Sequence, residues 1–118
     1  PRYICYMKRI NRYGKSMTTQ QGLTAQEFRA AMVAYNQMMD AEQDTSSATV
    51  EEKDNLLVWE FISKDGYQET VQYNPSKDYL VHVLVEPRSK DGTRPAMVDF
   101  VQHGTIEQLK NDQLTMVY

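Results

Sequence analysis

Apolar side chains recur at spacings of three and four residues across residues 24–43, and this period predicts one long amphipathic helix. Thr24 and Glu27 have the spacing of a capping box, in which each side chain accepts a hydrogen bond from a free backbone N–H of the first turn. The predicted helix therefore begins at Ala25. We expect the stripe that faces the core to consist of Phe28, Ala31, Met32, Tyr35, Met38 and Met39.

Beyond the helix, the apolar pattern changes to the two-residue period of β-strands. Residues 44–55 contain acids and turn formers, and we predict a loop there. Four strands are then predicted over 56–63, 67–73, 79–86 and 96–103. Asp65 and Gly66 lie between the first two strands and are a preferred pair for a type I′ turn. Residues 56–118 are therefore predicted to form an antiparallel meander, closed by a short helical turn after Thr105 and an edge strand.

Residues 1–21 are predicted to form a strand over 2–10 followed by a polar loop. The predicted order is thus strand, helix and four strands, which is an α+β fold with one long helix packed on an antiparallel sheet. A length of 118 residues fits a single domain, so we expect residues 1–118 to form one unit.

Charge is distributed unevenly along the chain. The net charge is −3, but the first fifteen residues contain five basic side chains and no acid, which leaves −8 on the rest. This basic arm consists of Arg2, Lys8, Arg9, Arg12 and Lys15. It can guard a sheet edge, lie against the acidic residues 40–60 or a second subunit, or contact nucleic acid with its basic and tyrosine side chains. The acidic body opposes nucleic-acid binding, so we expect the first of these roles.

The single cysteine, Cys5, excludes an internal disulfide and fits a reducing compartment, so we expect a cytoplasmic protein. Export stays open as the alternative, because a signal peptide can already have been removed. No apolar run approaches the roughly 20 residues of a membrane-spanning helix, and no membrane association is expected.

Two stretches resemble the cystatin and stefin family of protease inhibitors. The helix segment AAMVAYNQ (30–37) is similar to the family's alanine–aromatic–asparagine segment. KDYLVHVLVEP (77–87) and KNDQLTMVY (110–118) are similar to a stefin's final strands and tail. The resemblance covers residues 22–118 and implies a cystatin-like fold, in which an antiparallel sheet wraps one long helix.

The sequence departs from this family at its inhibitory loops. The hairpin tip at 62–67 corresponds to the family's glutamine–valine–glycine tip, and it keeps Gly66 but has no glutamine. The loop at 90–97 corresponds to the family's proline–tryptophan hairpin, and it has Pro95 but no tryptophan. The resemblance therefore implies a scaffold without implying protease inhibition.

Candidate catalytic residues are few. His82 lies between Leu80 and Leu84 on one predicted strand face, so we interpret it as a hydrogen-bonded sheet histidine, and we interpret His103 as a solvated or turn residue. Two metal-dependent arrangements stay open as alternatives. One is a divalent-metal site, and the other is a nuclease-like site with two acids and a cation. The first would use Asp99, His103 and Glu86, and the second Glu69, Glu86 and Arg88. Neither has the dense ligand spacing of a metal site, so we expect no metal, no cofactor and no catalysis.

The sequence favours a non-catalytic protein-binding module, such as an inhibitor, antagonist or antidote-type protein, that acts through exposed hairpin loops. The residues predicted to bind a protein partner are Arg88, Lys90, Asp91, Arg94, Pro95, Lys64 and Asp65. A nucleic-acid-binding protein that uses the basic arm is the alternative, followed by a metal-dependent nuclease-like enzyme. Strands 2–10 and 56–63 are apolar on both faces, so a homodimer is a further expectation.

Overall fold

The structure is a computed structural model and describes residues 22–117. The predicted strand at 2–10 and the basic arm lie outside these residues. The described part is an α+β fold with one antiparallel sheet. Its helices are α1 (Ala25–Met39) and α2 (Ile106–Lys110). Its strands are β1 (Thr49–Lys53), β2 (Leu56–Ile62), β3 (Gln68–Asn74), β4 (Tyr79–Glu86), β5 (Met97–Gly104) and β6 (Thr115–Val117).

The sheet is a meander in which each strand pairs with the next one along the chain, in the order β1-β2-β3-β4-β5-β6. The prediction of α+β class with an antiparallel sheet is confirmed, but the prediction of four strands after the helix was wrong. The additional strand β1 lies in the predicted loop over 44–55. Its alternation is hidden because it is an edge strand that is exposed at every position except Val50, which is partly buried. Asp54 and Asn55 connect it to β2 with φ values of 53° and 66°, which these two residue types tolerate well.

The helix is shorter than the predicted span of 24–43. The capping box is present, since the Thr24 hydroxyl accepts from the Glu27 N–H at 3.2 Å and the Glu27 carboxylate accepts from the Thr24 N–H at 2.9 Å. The helix ends at Met39 because Asp40 turns to extended backbone and its carboxylate accepts from the N–H of Glu42 at 3.0 Å. This local turn competes with another helical turn.

The turn between β2 and β3 also differs from the prediction. Asp65 and Gly66 do not form a type I′ turn, because Gly66 alone has positive φ, at 88°. The N–H of Gly66 donates to the carbonyl of Ser63 and the N–H of Ser63 to the carbonyl of Tyr67, each at 2.9 Å. The glycine is therefore the left-handed residue that closes a longer hairpin loop.

The core lies between α1 and one face of the sheet, which we call the inner face. Phe28, Met32 and Tyr35 are the buried apolar residues of α1, and the ring of Phe28 stacks on that of Tyr73 with centroids 5.2 Å apart. Met38 and Met39 do not fill the core as the stripe predicted, since they are 51% and 50% exposed. They occupy the last turn of α1, beyond the part that packs most tightly on the sheet. The sheet residues of the core are Leu57, Trp59, Phe61, Val71, Tyr73 and Leu80.

The entry to α1 is fixed to the turn between β3 and β4. The Tyr73 hydroxyl accepts from the N–H of Leu23 at 3.1 Å and donates to the carboxylate of Asp78 at 2.8 Å. Gly22 lies so close to this turn that a Cβ on it would be 2.3 Å from the carbonyl oxygen of Pro75. These contacts hold the start of the helix at one end of the sheet.

The opposite face of the sheet, the outer face, carries a patch of valines on its last three strands. In the strand register, Val83, Val101 and Val117 form one row across these strands, and Val85 pairs with Val98. Val98 is 60% exposed and Val117 is 44% exposed. We call these five residues the valine patch.

Candidate binding site at the loop end of the sheet

Three polar segments meet at the end of the sheet where β2 and β4 finish. They are the segment after α1 (residues 40–44), the β2–β3 turn (63–67) and the β4–β5 loop (87–96), and we call this region the loop end. The meander brings the last two together, because alternate connections of an antiparallel sheet lie at the same end. A Cβ on Gly66 of the β2–β3 turn would be 3.0 Å from the Cβ of Pro87 in the β4–β5 loop.

A cavity of about 350 Å³ opens at the loop end, between α1 and the inner face of the sheet. Aromatic side chains from the helix and three strands or turns line it, together with Met39 and Leu84. The aromatic residues are Tyr35, Phe61, Tyr67 and Phe100. The polar lining residues are Asn36, Gln43, Ser63, Asp65, Glu69 and His82.

A buried carboxylate and imidazole lie among these polar residues. Glu69 on β3 and His82 on β4 are 6% and 2% exposed, and Oε2 of Glu69 is 2.9 Å from Nε2 of His82. The imidazole N–H is poorly aligned with this oxygen, so the contact is electrostatic more than a directed hydrogen bond. The second oxygen, Oε1, accepts a well-formed hydrogen bond of 3.0 Å from the indole N–H of Trp59.

Glu69 is held in its charged form. Burial raises the pKa of its carboxyl, but the close contact and charge interaction with His82, together with hydrogen bonding from Trp59 and Asn36, outweigh burial and lower the pKa below its usual value. A buried carboxylate therefore lies against the cavity.

Further hydrogen bonds hold the residues around this carboxylate. The side-chain N–H of Asn36 donates to the carbonyl of Met32 at 2.9 Å, and its side-chain oxygen accepts from Gln43 at 2.9 Å. Nδ1 of His82 lies 3.3 Å from the side-chain oxygen of Gln102. The cavity wall is thus preorganised by its own contacts.

The aromatic lining also packs against the imidazole. The rings of Tyr35 and Phe100 make edge contacts with His82, with centroids 6.0 Å and 5.4 Å from its centroid. Burial raises the pKa of Tyr35 to about 12, with smaller contributions from the charges of Asp112 and Glu69. Tyr35 therefore faces the cavity as a neutral phenol.

The rim of the cavity is acidic on the helix side. A depression of about 220 Å³ adjoins the cavity and shares Phe61 and Asp65 with it. The acidic side chains that line it are Asp40, Glu42, Asp44 and Asp65, against the single basic side chain of Lys64. Of residues 22–117, no lysine or arginine lines the larger cavity.

All seven predicted partner-binding residues lie at the loop end. Lys64 and Asp65 are in the β2–β3 turn and line the cavity rim, while Arg88, Lys90, Asp91, Arg94 and Pro95 are exposed in the β4–β5 loop. Sequence reasoning did not find the cavity. Only the strand register shows that Glu69 and His82 are diagonal neighbours across β3 and β4.

The β4–β5 loop is ordered by its own polar groups. The carboxylate of Asp91 accepts from the Ser89 hydroxyl at 2.8 Å, and from the N–H and hydroxyl of Thr93 at 3.0 Å and 2.7 Å. These bonds lower the pKa of Asp91 to about 2. Arg94 pairs with Glu86 at 3.2 Å. The loop therefore presents its remaining charges from a defined backbone.

The structure places the residues of the two metal-dependent alternatives in different surroundings. Glu69 is bonded to Trp59 and His82, whereas Glu86 is paired with Arg94. Asp99 is the extra residue of a bulge, because Phe100 pairs with Leu84 and Val98 with Val85. Within residues 22–117, no three side chains of metal-binding type lie together.

His103 lies within β5 and is partly buried, and its ring centroid is 5.7 Å from that of Tyr79. The interpretation of His103 as a solvated or turn residue was therefore wrong. A strand continuing to Gly104 keeps it in the sheet. In the described part of the chain, no helix is long and apolar enough to cross a membrane.

The chain matches no protein-family model, no curated protein sequence and no solved structure. The resemblance to the cystatins therefore stays a prediction.

Proposed function

We propose that this protein is a non-catalytic protein-binding module whose recognition surface is the loop end. The observation that carries the proposal is the meeting of three polar segments, residues 40–44, 63–67 and 87–96, at one end of a rigid sheet, where the first two of them line one cavity. Loops positioned by a rigid scaffold are where proteins most often place recognition residues.

The charges of the loop end support a protein partner. Acidic side chains of residues 40–44 lie on one side of the cavity, and Arg88 and Lys90 are exposed on the β4–β5 loop. Complementary charge steers association and fixes the orientation of two proteins. The Asp91 bonds order this loop before binding, which reduces the entropy lost when a partner docks.

The polar groups in the cavity also favour a binding role over acid–base catalysis. Both carboxylate oxygens of Glu69 and both ring nitrogens of His82 are within 3.3 Å of other protein groups. A general base needs a free position within hydrogen-bond reach of a substrate proton. Their engagement supports a structural role for this pair.

Within the α+β class, we propose a cystatin-like scaffold, with α1 packed on a meander that presents hairpins at one end. An inhibitor, antagonist or antidote-type protein is the functional class that we propose. The β2–β3 turn at 63–67 has neither glutamine nor an apolar pair, so the proposal does not include inhibition of a protease through this turn.

The proposal is tested by quantitative affinity capture from lysate of the source organism. In the first variant, Arg88, Lys90, Asp91 and Arg94 are replaced by glycine and serine, and in the second, Lys64 and Asp65 are replaced by serine. The matched control changes Ser76 and Lys77, which are exposed in the turn at the opposite end of the sheet. We expect a protein that the natural chain and the control enrich equally and that both loop-end variants lose. Equal capture by all four chains contradicts the proposal.

Self-association through the valine patch is a second, independent proposal. Val98 and Val117 are large apolar side chains that are 60% and 44% exposed on the outer face, beside the edge strand β6. A second copy can cover this patch by an isologous contact. Sedimentation equilibrium should show a dimer that Val98→Ser with Val117→Ser converts to a monomer. A natural chain that stays monomeric at every concentration contradicts it.

A further inference from the structure

We infer that the cavity at the loop end is a binding site for an organic cation, namely an ammonium or guanidinium group. This inference deepens the proposed function and rests on it only for the source of the cation, which is a basic side chain of the partner protein or a free small molecule. The two sources share the same chemistry, and the experiment below separates them.

The charges around the cavity favour a cation. Glu69 is 6% exposed, lies against the cavity and is held as a carboxylate. Asp65 lines both the cavity and the adjoining depression, where three more acids lie. Acids outnumber the single basic side chain of Lys64 there, and a concave site with an excess of one sign of charge raises the local concentration of counter-ions. A cation that enters is therefore attracted by Asp65 and the neighbouring acids at the rim, and by Glu69 inside the cavity.

The aromatic walls of the cavity favour a cation independently of these charges. Tyr35, Phe61, Tyr67 and Phe100 come from four separate elements or turns and surround the same space. Aromatic side chains attract cations through the negative faces of their rings, and several together form the cages that recognise ammonium groups. A purely apolar ligand would gain from these walls but would make no use of the negative charge of Asp65 at the rim.

The size of the cavity also fits such a group. A volume of about 350 Å³ lies at the lower end of the range for small-molecule pockets, and so it suits one side chain or one small amine. Anionic ligands are disfavoured by Glu69 and Asp65, and of residues 22–117 no lysine or arginine lines the cavity to receive them.

Trp59 is buried behind the cavity wall and provides a reporter through its bond to Glu69. It is the single tryptophan of the chain, and its indole N–H donates to Glu69 at 3.0 Å. Its fluorescence and the NMR shift of its indole proton should therefore respond when a cation approaches this carboxylate. The probes are choline, its neutral carbon isostere dimethylbutanol, and short peptides with a central lysine, trimethyllysine, arginine or norleucine.

We expect at least one cationic probe to bind roughly tenfold or more tightly than its neutral counterpart. Tyr67→Leu should weaken that cation by roughly threefold to tenfold, the size of an aromatic contact with a cation. Asp65→Asn should also weaken it and reduce its salt dependence. Both residues are exposed, so these variants should keep the fold, as circular dichroism will check. Asp54→Asn, an exposed acid at the opposite end of the sheet, is the control and should bind normally.

Binding by basic peptides but not by choline assigns the cation to a partner protein, and the reverse assigns it to a small molecule. Equal binding of the cationic and neutral probes, or no response of Trp59 to any cation, overturns the inference. Its failure is distinguishable from failure of the proposed function. If the cationic and neutral probes bind equally while the loop-end variants still lose the partner, the binding function stands and the cation site does not.

Discussion

Glu69 and His82 are diagonal neighbours on adjacent strands with 2.9 Å between Oε2 and Nε2, and neither is more than 6% exposed. Removing one member of such a pair leaves the other buried without its partner. We expect His82→Leu to lower the free energy of unfolding by about 3–5 kcal/mol.

The double variant Glu69→Leu with His82→Leu should be less destabilised than the sum of the single changes, because two apolar side chains replace both polar groups. Urea unfolding of the four chains gives a coupling energy that we expect to be about 0.5–3 kcal/mol. Strictly additive effects would show that the pair does not act as a unit.

The same carboxylate should make the free energy of unfolding depend on pH. The pKa of Glu69 is lower in the folded protein than in the unfolded chain, so the unfolded chain binds the proton more readily. Its stabilising contribution is present above the unfolded pKa of about 4.3 and is lost as the pH falls through the folded value. Urea unfolding of the natural chain and of Glu69→Gln should therefore differ at neutral pH and converge in acid. A constant difference at every pH would contradict this assignment.

Tyr73 predicts a local effect at the entry to α1. Tyr73→Phe keeps the stacked ring but removes both hydrogen bonds of the hydroxyl, which should cost about 1–3 kcal/mol of unfolding free energy. Burial and Asp78 raise the pKa of Tyr73 to about 12 although the Leu23 N–H opposes them. Alkaline absorbance titration of the variant should therefore lose one group that titrates at about that pH. Tyr79→Phe, at an exposed tyrosine, is the control and should change stability by less than about 0.5 kcal/mol.

Gly22 predicts a steric effect at the same end. A Cβ at this position would lie 2.3 Å from the Pro75 carbonyl oxygen, and backbone cannot move aside as a flexible side chain can. We expect Gly22→Ala to lower the melting temperature and to cost about 1–3 kcal/mol. Gly92→Asn is the control, because no atom lies within 4 Å of a Cβ there and asparagine tolerates its φ of 75°. Similar losses in both variants would mean that crowding by Pro75 is not the cause.

Asp91 predicts a change in order without a large change in stability. Asp91→Ala removes three acceptor contacts that hold the exposed β4–β5 loop. Backbone amide exchange should become faster in residues 87–96 and stay unchanged in β3. Affinity for a captured partner should fall, because a looser loop loses more entropy on binding. Unchanged exchange would show that the loop is held by other contacts.

The elements with strong local signals were predictable from the sequence. The capping box placed the start of α1, and the alternation of β4 placed Leu80, His82 and Leu84 on one face. β1 was missed because an exposed edge strand does not alternate in hydropathy. The predicted helix ran past Met39 to residue 43, although Asp40 carries the signal that ends it, since its carboxylate accepts from the N–H of Glu42.

The candidate site was predictable only in part. Lys64, Asp65 and the residues of the β4–β5 loop were found because polar hairpins are recognisable from turn residues. The cavity was not, because it depends on register. Glu69 accepts a hydrogen bond from Trp59 and lies against His82. The sequence positions of these three residues do not indicate that they are in contact.

The meander has a kinetic consequence. Within residues 22–117, each strand pairs with its neighbour in sequence, so every pairing closes only a short loop. The sheet can therefore grow one hairpin at a time, without waiting for distant segments to meet. The contact between α1 and α2 joins segments that lie far apart in sequence, and its formation has to bridge a much longer stretch of polypeptide than any of the strand pairings.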